Sequence, residues 1–385
     1  MKIVIAPDSF KGNMRAVEAC SIIEDGLRRY LPDAVYIKLP LADGGEGTAQ
    51  TLIDATGGKI LSCTVEDPLG RPITASYGIL SDGKTAVMDM ASASGLELLS
   101  EQELNPLLAS TRGTGQMIVD AVKQGVDTVI MGIGGSATVD GGVGMAQTLG
   151  FSIHDNTGKD IRRGAVDLDK ISVINDADMD TEVRQALHRV QFKIACDVTN
   201  PLLGEKGAAA VFAPQKGADA KMMIHLENSL QNLSEVWIKN GMLTTVMQPG
   251  DGAAGGLGAG LRAFLDAEIL PGAQLVMEYT GFFDAVSNAD LVITGEGRTD
   301  SQTKGGKLCS AVAAECHKRH VPVVLVSGAL VGDLPAFHED FFAAFSISSG
   351  QATLERQIRE SKSDLYFTAM NIARFLQLSG KNHPA

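Results

Sequence analysis

Short apolar runs alternate along this chain with glycine-bearing polar stretches and with segments whose apolar residues recur every three or four positions. The sequence KIVIA at 2–6 predicts a strand. It is followed by the loop PDSFKGN, a helix with Val17, Cys20, Ile23 and Leu27 on one face, and a second strand at 34–40. That is a βαβ unit, and its second strand opens into LADGGEGT. The same grammar returns far along the chain. LVITGEG at 291–297 reads as a strand, a helix runs from about Lys307 to His317, and VPVVLVSG at 321–328 and FFAAFSIS at 341–348 read as strands. Both ends of the chain are therefore expected in one parallel sheet.

The middle obeys a different pattern. Residues 72–91 hold two strand-like runs around the turn SDGK, which predicts a hairpin and locally antiparallel structure. A helix is expected around 114–124, strands at 128–134 and 192–197, and a long amphipathic helix through Met222, Leu226, Leu230, Leu233 and Trp237. The expectation is a two-domain α/β protein. A discontinuous domain with a parallel sheet takes 1–65 plus 285–385, and an α/β domain of mixed sheet is inserted at 66–284.

Composition agrees with two cores, since 385 residues at 44% hydrophobic exceed what one compact core needs. A formal net charge of -13 argues against a nucleic-acid surface or an anionic membrane as main partner, but leaves room for a small anion held by a local cationic cluster. Five widely spaced cysteines without a C-x-x-C pair predict reduced thiols in a cytoplasmic protein. The run IVIA before Pro7 is too short for the apolar core of a signal peptide, and no later run approaches a membrane span.

The 43 glycines narrow the chemistry, because they cluster where strands end. Five loops stand out: APDSFKGN (6–13), ADGGEGT (42–48), GIGGSATVDGGVG (132–144), GDGAAGGLGAG (250–260) and TGEGRTDSQTKGGK (294–307). Glycine lets backbone N–H groups approach a phosphate, a following helix N-terminus adds partial positive charge, and carboxylates can hold the magnesium that travels with a nucleotide. Phosphoryl transfer uses all three. The plainer reading of any one loop is a tight turn, with Asp140 before GGVGMAQ a natural helix cap.

The candidate acids are Asp8, Asp43, Glu46, Asp140, Asp197, Asp251, Glu296 and Asp300, and the candidate cations are Lys11, Arg71, Arg112, Arg298, Lys304 and Lys307. The last loop is not a Walker A motif, since Leu308 follows Gly306 and Lys307 and Ser301 stands where the leading glycine belongs. A competing reading is an NAD-dependent oxidoreductase, because Gly132, Gly134 and Ala137 follow a strand as G-x-G-x-x-A with Asp155 beyond. Against it, the helix starts only after SATVDGG. The G-x-S-x-G elbow of hydrolases is absent.

Six long motifs, IAPDSFKGNMRAVEA, LADGGEGT, GIGGSATVDGGVGMAQTLG, CDVTNPLLGEKGAAAVFAPQKGA, GDGAAGGLGAGL and TGEGRTDSQTKGGK, resemble in order those of the type 1 glycerate kinases, over nearly the whole chain. The resemblance implies ATP-dependent phosphorylation of D-glycerate with Mg²⁺ and a flavodoxin-like domain with a second domain inserted; the substrates are expected to meet in the cleft between them. Within these loops and the neighbouring Arg71, we expect Lys11, Asp43 and Asp197 in catalysis and Asp8, Ser9, Arg71 and Arg298 around the substrate. Gly134, Gly135, Ser136, Gly255, Gly256, Gly295, Gly297 and Lys304 are expected on the nucleotide or its phosphates, and Asp251, Glu296 and Asp300 on the metal. Whether the 2- or the 3-hydroxyl receives the phosphoryl group stays open.

Overall fold

A computed structural model describes residues 1–380 apart from 11, 46, 301–307, 333–336, 349 and 351–352. Contacts divide the chain into two compact units. The first holds Met1–Asp43, Asp54–Thr56 and Ala273–Ala385, and the second holds Gly44–Ile53 and Gly57–Gly272.

In the first unit, the apolar runs Leu291–Glu296 and Val323–Ser327 are buried almost throughout, as befits strands covered on both faces. The sheet runs Ala343–Ser346, Val323–Ser327, Leu291–Glu296, Lys2–Ile5, Val35–Lys38, with every neighbour parallel. This is the flavodoxin-like order, and the direction of winding reverses between Lys2–Ile5 and Leu291–Glu296. The helix Ala16–Arg28 buries Cys20, Ile23 and Leu27 in a core shared with Leu365 and Ile372 of the helix Leu354–Gly380. The two helices approach so closely at Gly26 that a Cβ there would lie 2.6 Å from the Tyr366 carbonyl oxygen.

The second unit is built on a mixed sheet in the order Glu268–Leu270, Gln191–Ala195, Thr128–Gly132, Thr85–Asp89, Pro72–Ile79, Lys59–Glu66. Its first four strands are parallel, and the last two add antiparallel. The helix Ala220–Lys239 sets Leu226, Leu230, Leu233 and Trp237 into its core, where Trp237 meets Phe264 edge to face at 5.8 Å.

The fold class expected from the sequence is the one observed. Two local readings change. Lys59–Glu66, not read as a strand from sequence, pairs along its whole length with Pro72–Ile79 and extends the second sheet. The stretch 250–260, read as a loop, enters a helix at Ala253 that is interrupted by left-handed residues at Ala254, Gly255 and Gly256.

Candidate active site

In the first unit, a cavity of about 550 Å³ opens where the strands end. Asp8 and Ser9 follow Lys2–Ile5, Asp43 follows Val35–Lys38, and Glu296 to Asp300 close the strand Leu291–Glu296. Gly328 and Ser348 come from the ends of the other two strands. Ligands of open α/β sheets bind at such carboxyl ends, beside the point where the winding reverses. Of the residues expected at the site, this cavity gathers Asp8, Ser9, Asp43, Glu296, Gly297, Arg298 and Asp300.

The lining is held by hydrogen bonds within the unit. The backbone N–H of Asp8 donates to the Gly295 carbonyl at 2.8 Å, and its carboxylate accepts from the Ser9 N–H at 2.6 Å. Thr299, fully buried, donates its hydroxyl to Glu296 Oε1 at 2.9 Å and sits 2.9 Å from Ser327 Oγ. Its N–H bonds the Ala329 carbonyl at 2.8 Å, fastening the loop to the end of the next strand. Beneath Glu296, burial, aided by the Glu296 charge, pushes the Cys309 thiol well above its ordinary range, so it stays a thiol. Arg298 lies 3.5 Å from Asp300 with 66% of its side chain exposed, which leaves its guanidinium in reach of a ligand.

The far wall belongs to the helix Leu354–Gly380, through Gln357, Ser361 and Asp364. Asn13 donates to the Ser361 hydroxyl and ties the first loop to this helix. Burial, then the neighbouring Glu360, raises Asp364 above the usual carboxylate range. Sequence reasoning missed Asn13, Thr299, Ser361 and Asp364. Nothing in an amphipathic helix pattern marks which polar positions will face a cavity.

Gly295 has a reason of its own to be glycine. It lies inside the strand, where a Cβ would stand 2.2 Å from the Val326 carbonyl oxygen, so the sheet itself requires the glycine.

In the second unit the expected residues are dispersed. The Arg71 guanidinium donates to Asp67, to Glu103 at 2.6 Å and to the Leu98 carbonyl at 3.4 Å. Asp251, expected on the metal, is fully buried. It accepts from Arg262 at 2.6 Å and from the Gln248 N–H at 2.8 Å, and is a structural ion pair. Gly255 and Gly256 are buried, and a Cβ on Gly255 would fall 2.0 Å from the Thr138 carbonyl oxygen. They allow two loops to pack closely.

Asp140 is likewise fully buried. It accepts from the N–H and hydroxyl of Thr111 at 2.8 and 2.9 Å and from the N–H groups of Gly142 and Gly144, so one carboxylate caps the starts of the helices Arg112–Lys123 and Val143–Leu149. Burial raises it from the usual carboxylate range against these donors. Ser136 is buried and accepts from Lys216, a partner the sequence reading did not single out. Gly134 and Gly135 form an accessible turn, and Asp197 is exposed at the end of Gln191–Ala195 with its carboxylate accepting the Gly272 N–H at 2.8 Å.

The helix after Thr128–Gly132 begins at Val143, so Gly134 and Ala137 are not part of a strand-to-helix turn and the dinucleotide fingerprint fails. Lys11, Glu46, Lys304 and Lys307 lie outside the described residues.

A model of the family described as "Glycerate kinase family" matches residues 3–377. The chain belongs to the glycerate kinase family. A Halalkalibacterium halodurans protein named Glycerate kinase is 45% identical to it over 96% of this chain and 97% of that one. The Escherichia coli protein named Glycerate 2-kinase is 43% identical over 99% of this chain and all of the relative. A crystal structure from Salmonella typhimurium LT2, provisionally named glycerate kinase 2, superposes with a TM-score of 0.90 at 40% identity, covering 99% of both chains. As a member of the glycerate kinase family, the chain has its open, acid-lined cavity in the flavodoxin-like unit. Among the described residues no helix is long and apolar enough to cross a membrane.

Proposed function

We propose that this protein is a glycerate kinase, transferring the γ-phosphoryl group of ATP to D-glycerate. The observation that carries the reading is the cavity at the strand ends of the flavodoxin-like unit, where Asp8, Asp43, Glu296 and Asp300 share a lining with the exposed guanidinium of Arg298. Arg298 grips the glycerate carboxylate through parallel hydrogen bonds, Asp8 and Ser9 orient its hydroxyls, and Asp43 accepts the proton of the attacking hydroxyl. The hydroxyl oxygen bonds to the γ-phosphorus while the bond to the β–γ bridging oxygen breaks, and ADP departs.

The described lining donors are oxygens, which suit a hard cation. Mg²⁺ that arrives on a nucleotide needs one or two carboxylates from the protein. Glu296 and Asp300 fit that role, and bound Mg²⁺ would supply charge neutralisation on the phosphates. The turn at Gly134 and Gly135 is the accessible part of its loop and suits the nucleotide, with Asp197 at a neighbouring strand end. From sequence alone, Lys11 and Lys304 add positive charge for the phosphates.

The Escherichia coli relative's name favours the 2-hydroxyl as acceptor, the six ordered motifs favour the type 1 subdivision, and five unpaired thiols suit the cytoplasm. The test is an ATP-consumption assay with and without D-glycerate, followed by NMR of the product. Turnover only with D-glycerate and a 2-phosphoglycerate product are expected. Glycerate-independent ATP loss would overturn the kinase assignment, and 3-phosphoglycerate would overturn the regiochemistry.

A further inference from the structure

Lys216 is the odd charge of this molecule. It lies at the end of a single turn, Pro214–Lys216, fixed by its own N–H to the Ala213 carbonyl at 3.0 Å and by Gly217, whose left-handed backbone faces the Leu104 carbonyl. The side chain is 1% exposed. Its ammonium donates to Ser136 Oγ at 2.6 Å and to the Thr138 carbonyl at 2.7 Å. No carboxylate lies within ion-pair distance of it among the described residues. Asp140 acts on it only through its field, and burial lowers Lys216 to about 7.

An ammonium buried without a carboxylate in contact costs several kcal/mol, on the order of what a well-packed methionine would avoid. A tie between two loops does not need a charge. Both acceptors of Lys216 belong to the segment that follows the accessible turn Gly134–Gly135, and the Thr138 hydroxyl beside them is buried with no hydrogen-bond partner. A positive charge held in low dielectric under a glycine turn fixes the turn's backbone and favours an anion on its outer side.

We infer that Lys216 is a positioning residue for the nucleotide, holding Ser136 and Thr138 so that the Gly134–Gly135 turn is set to receive phosphate. The inference rests on the proposed nucleotide role of that turn. Its removal acts on ATP and spares glycerate.

The test uses the full-length protein as Lys216→Met and Ser136→Ala. Losing charge-assisted hydrogen bonds predicts an increase in KM for ATP of about tenfold to a hundredfold in Lys216→Met, with KM for glycerate changed by about twofold at most. Ser136→Ala removes one acceptor while keeping the charge. It is expected to raise KM for ATP by less, and the double variant to resemble Lys216→Met alone, because the two act through one contact. Ser136→Ala keeps the proposal testable should Lys216→Met fail to fold. Added ethylammonium is expected to restore ATP affinity in part in Lys216→Ala.

Hydrogen exchange of the wild type with and without ATP separates the two claims. No ATP-dependent protection at 134–138 overturns the nucleotide role of the turn. Protection there, with KM for ATP unchanged in both single variants, overturns the role of Lys216.

Discussion

The loop after Leu291–Glu296 and the loop after Thr128–Gly132 use the same letters, glycine with a carboxylate and a hydroxyl, and put their carboxylates to opposite ends. In the first, Glu296, Arg298 and Asp300 line a cavity, with one hydroxyl holding Glu296 in place. In the second, Asp140 and Ser136 are buried and their oxygens are taken by the protein's own donors. The difference teaches that a glycine loop's composition does not decide its role. A carboxylate already saturated by helix N–H groups has little left for a ligand, whereas one at a strand end beside a reversal of winding has room for one.

Four changes break or sharpen this contrast. The largest effect is expected of Asp43→Asn, which removes the proposed proton acceptor and should lower kcat by about a hundredfold to ten-thousandfold with the denaturation midpoint unchanged. Asp251→Ala should do the reverse. It strands the Arg262 guanidinium in the interior and is expected to cost about 3–5 kcal/mol in denaturant unfolding, with full specific activity in the fraction still folded. Arg298→Ala should raise KM for glycerate by about tenfold or more while leaving the fold intact, since its side chain is largely in solvent. The smallest effect is expected of Arg71→Ala. Its guanidinium is bound to Asp67 and Glu103 near the surface, so KM for glycerate should stay within about twofold.

A pH series separates the buried cation from the rest. Lys216 is lowered from 10.5 to about 7 by burial, so between these values the unfolded chain holds the extra proton. Stability therefore rises as pH climbs from about 7 towards 10 in the wild type, and that part of the rise should vanish in Lys216→Met when unfolding is followed by denaturant titration.

Much of the architecture was legible because burial on both faces writes continuous apolar runs. VPVVLVSG and LVITGEG read as strands without ambiguity, and the hairpin at 72–91 announced itself by its turn. The strand Lys59–Glu66 was not legible, because its pairing with Pro72–Ile79 is what places it in the second sheet. The strand-end placement of Asp8, Asp43, Glu296, Arg298 and Asp300 around one cavity was legible because the strand-end rule is local. The partners of Asp251, Arg71 and Gly255, namely Arg262, Glu103 and the Thr138 carbonyl, were not legible because they are set by tertiary packing. Lys216 stood within a motif already noticed, yet only its burial marks it.

The most direct measurement pairs two of these variants. Asp43→Asn and Asp251→Ala, prepared together, are assayed for D-glycerate-dependent ATP turnover and for denaturant midpoint. The account predicts an inactive, stable Asp43→Asn and a destabilised Asp251→Ala whose folded fraction turns over normally. A stable Asp251→Ala that has lost activity, beside an active Asp43→Asn, would contradict it.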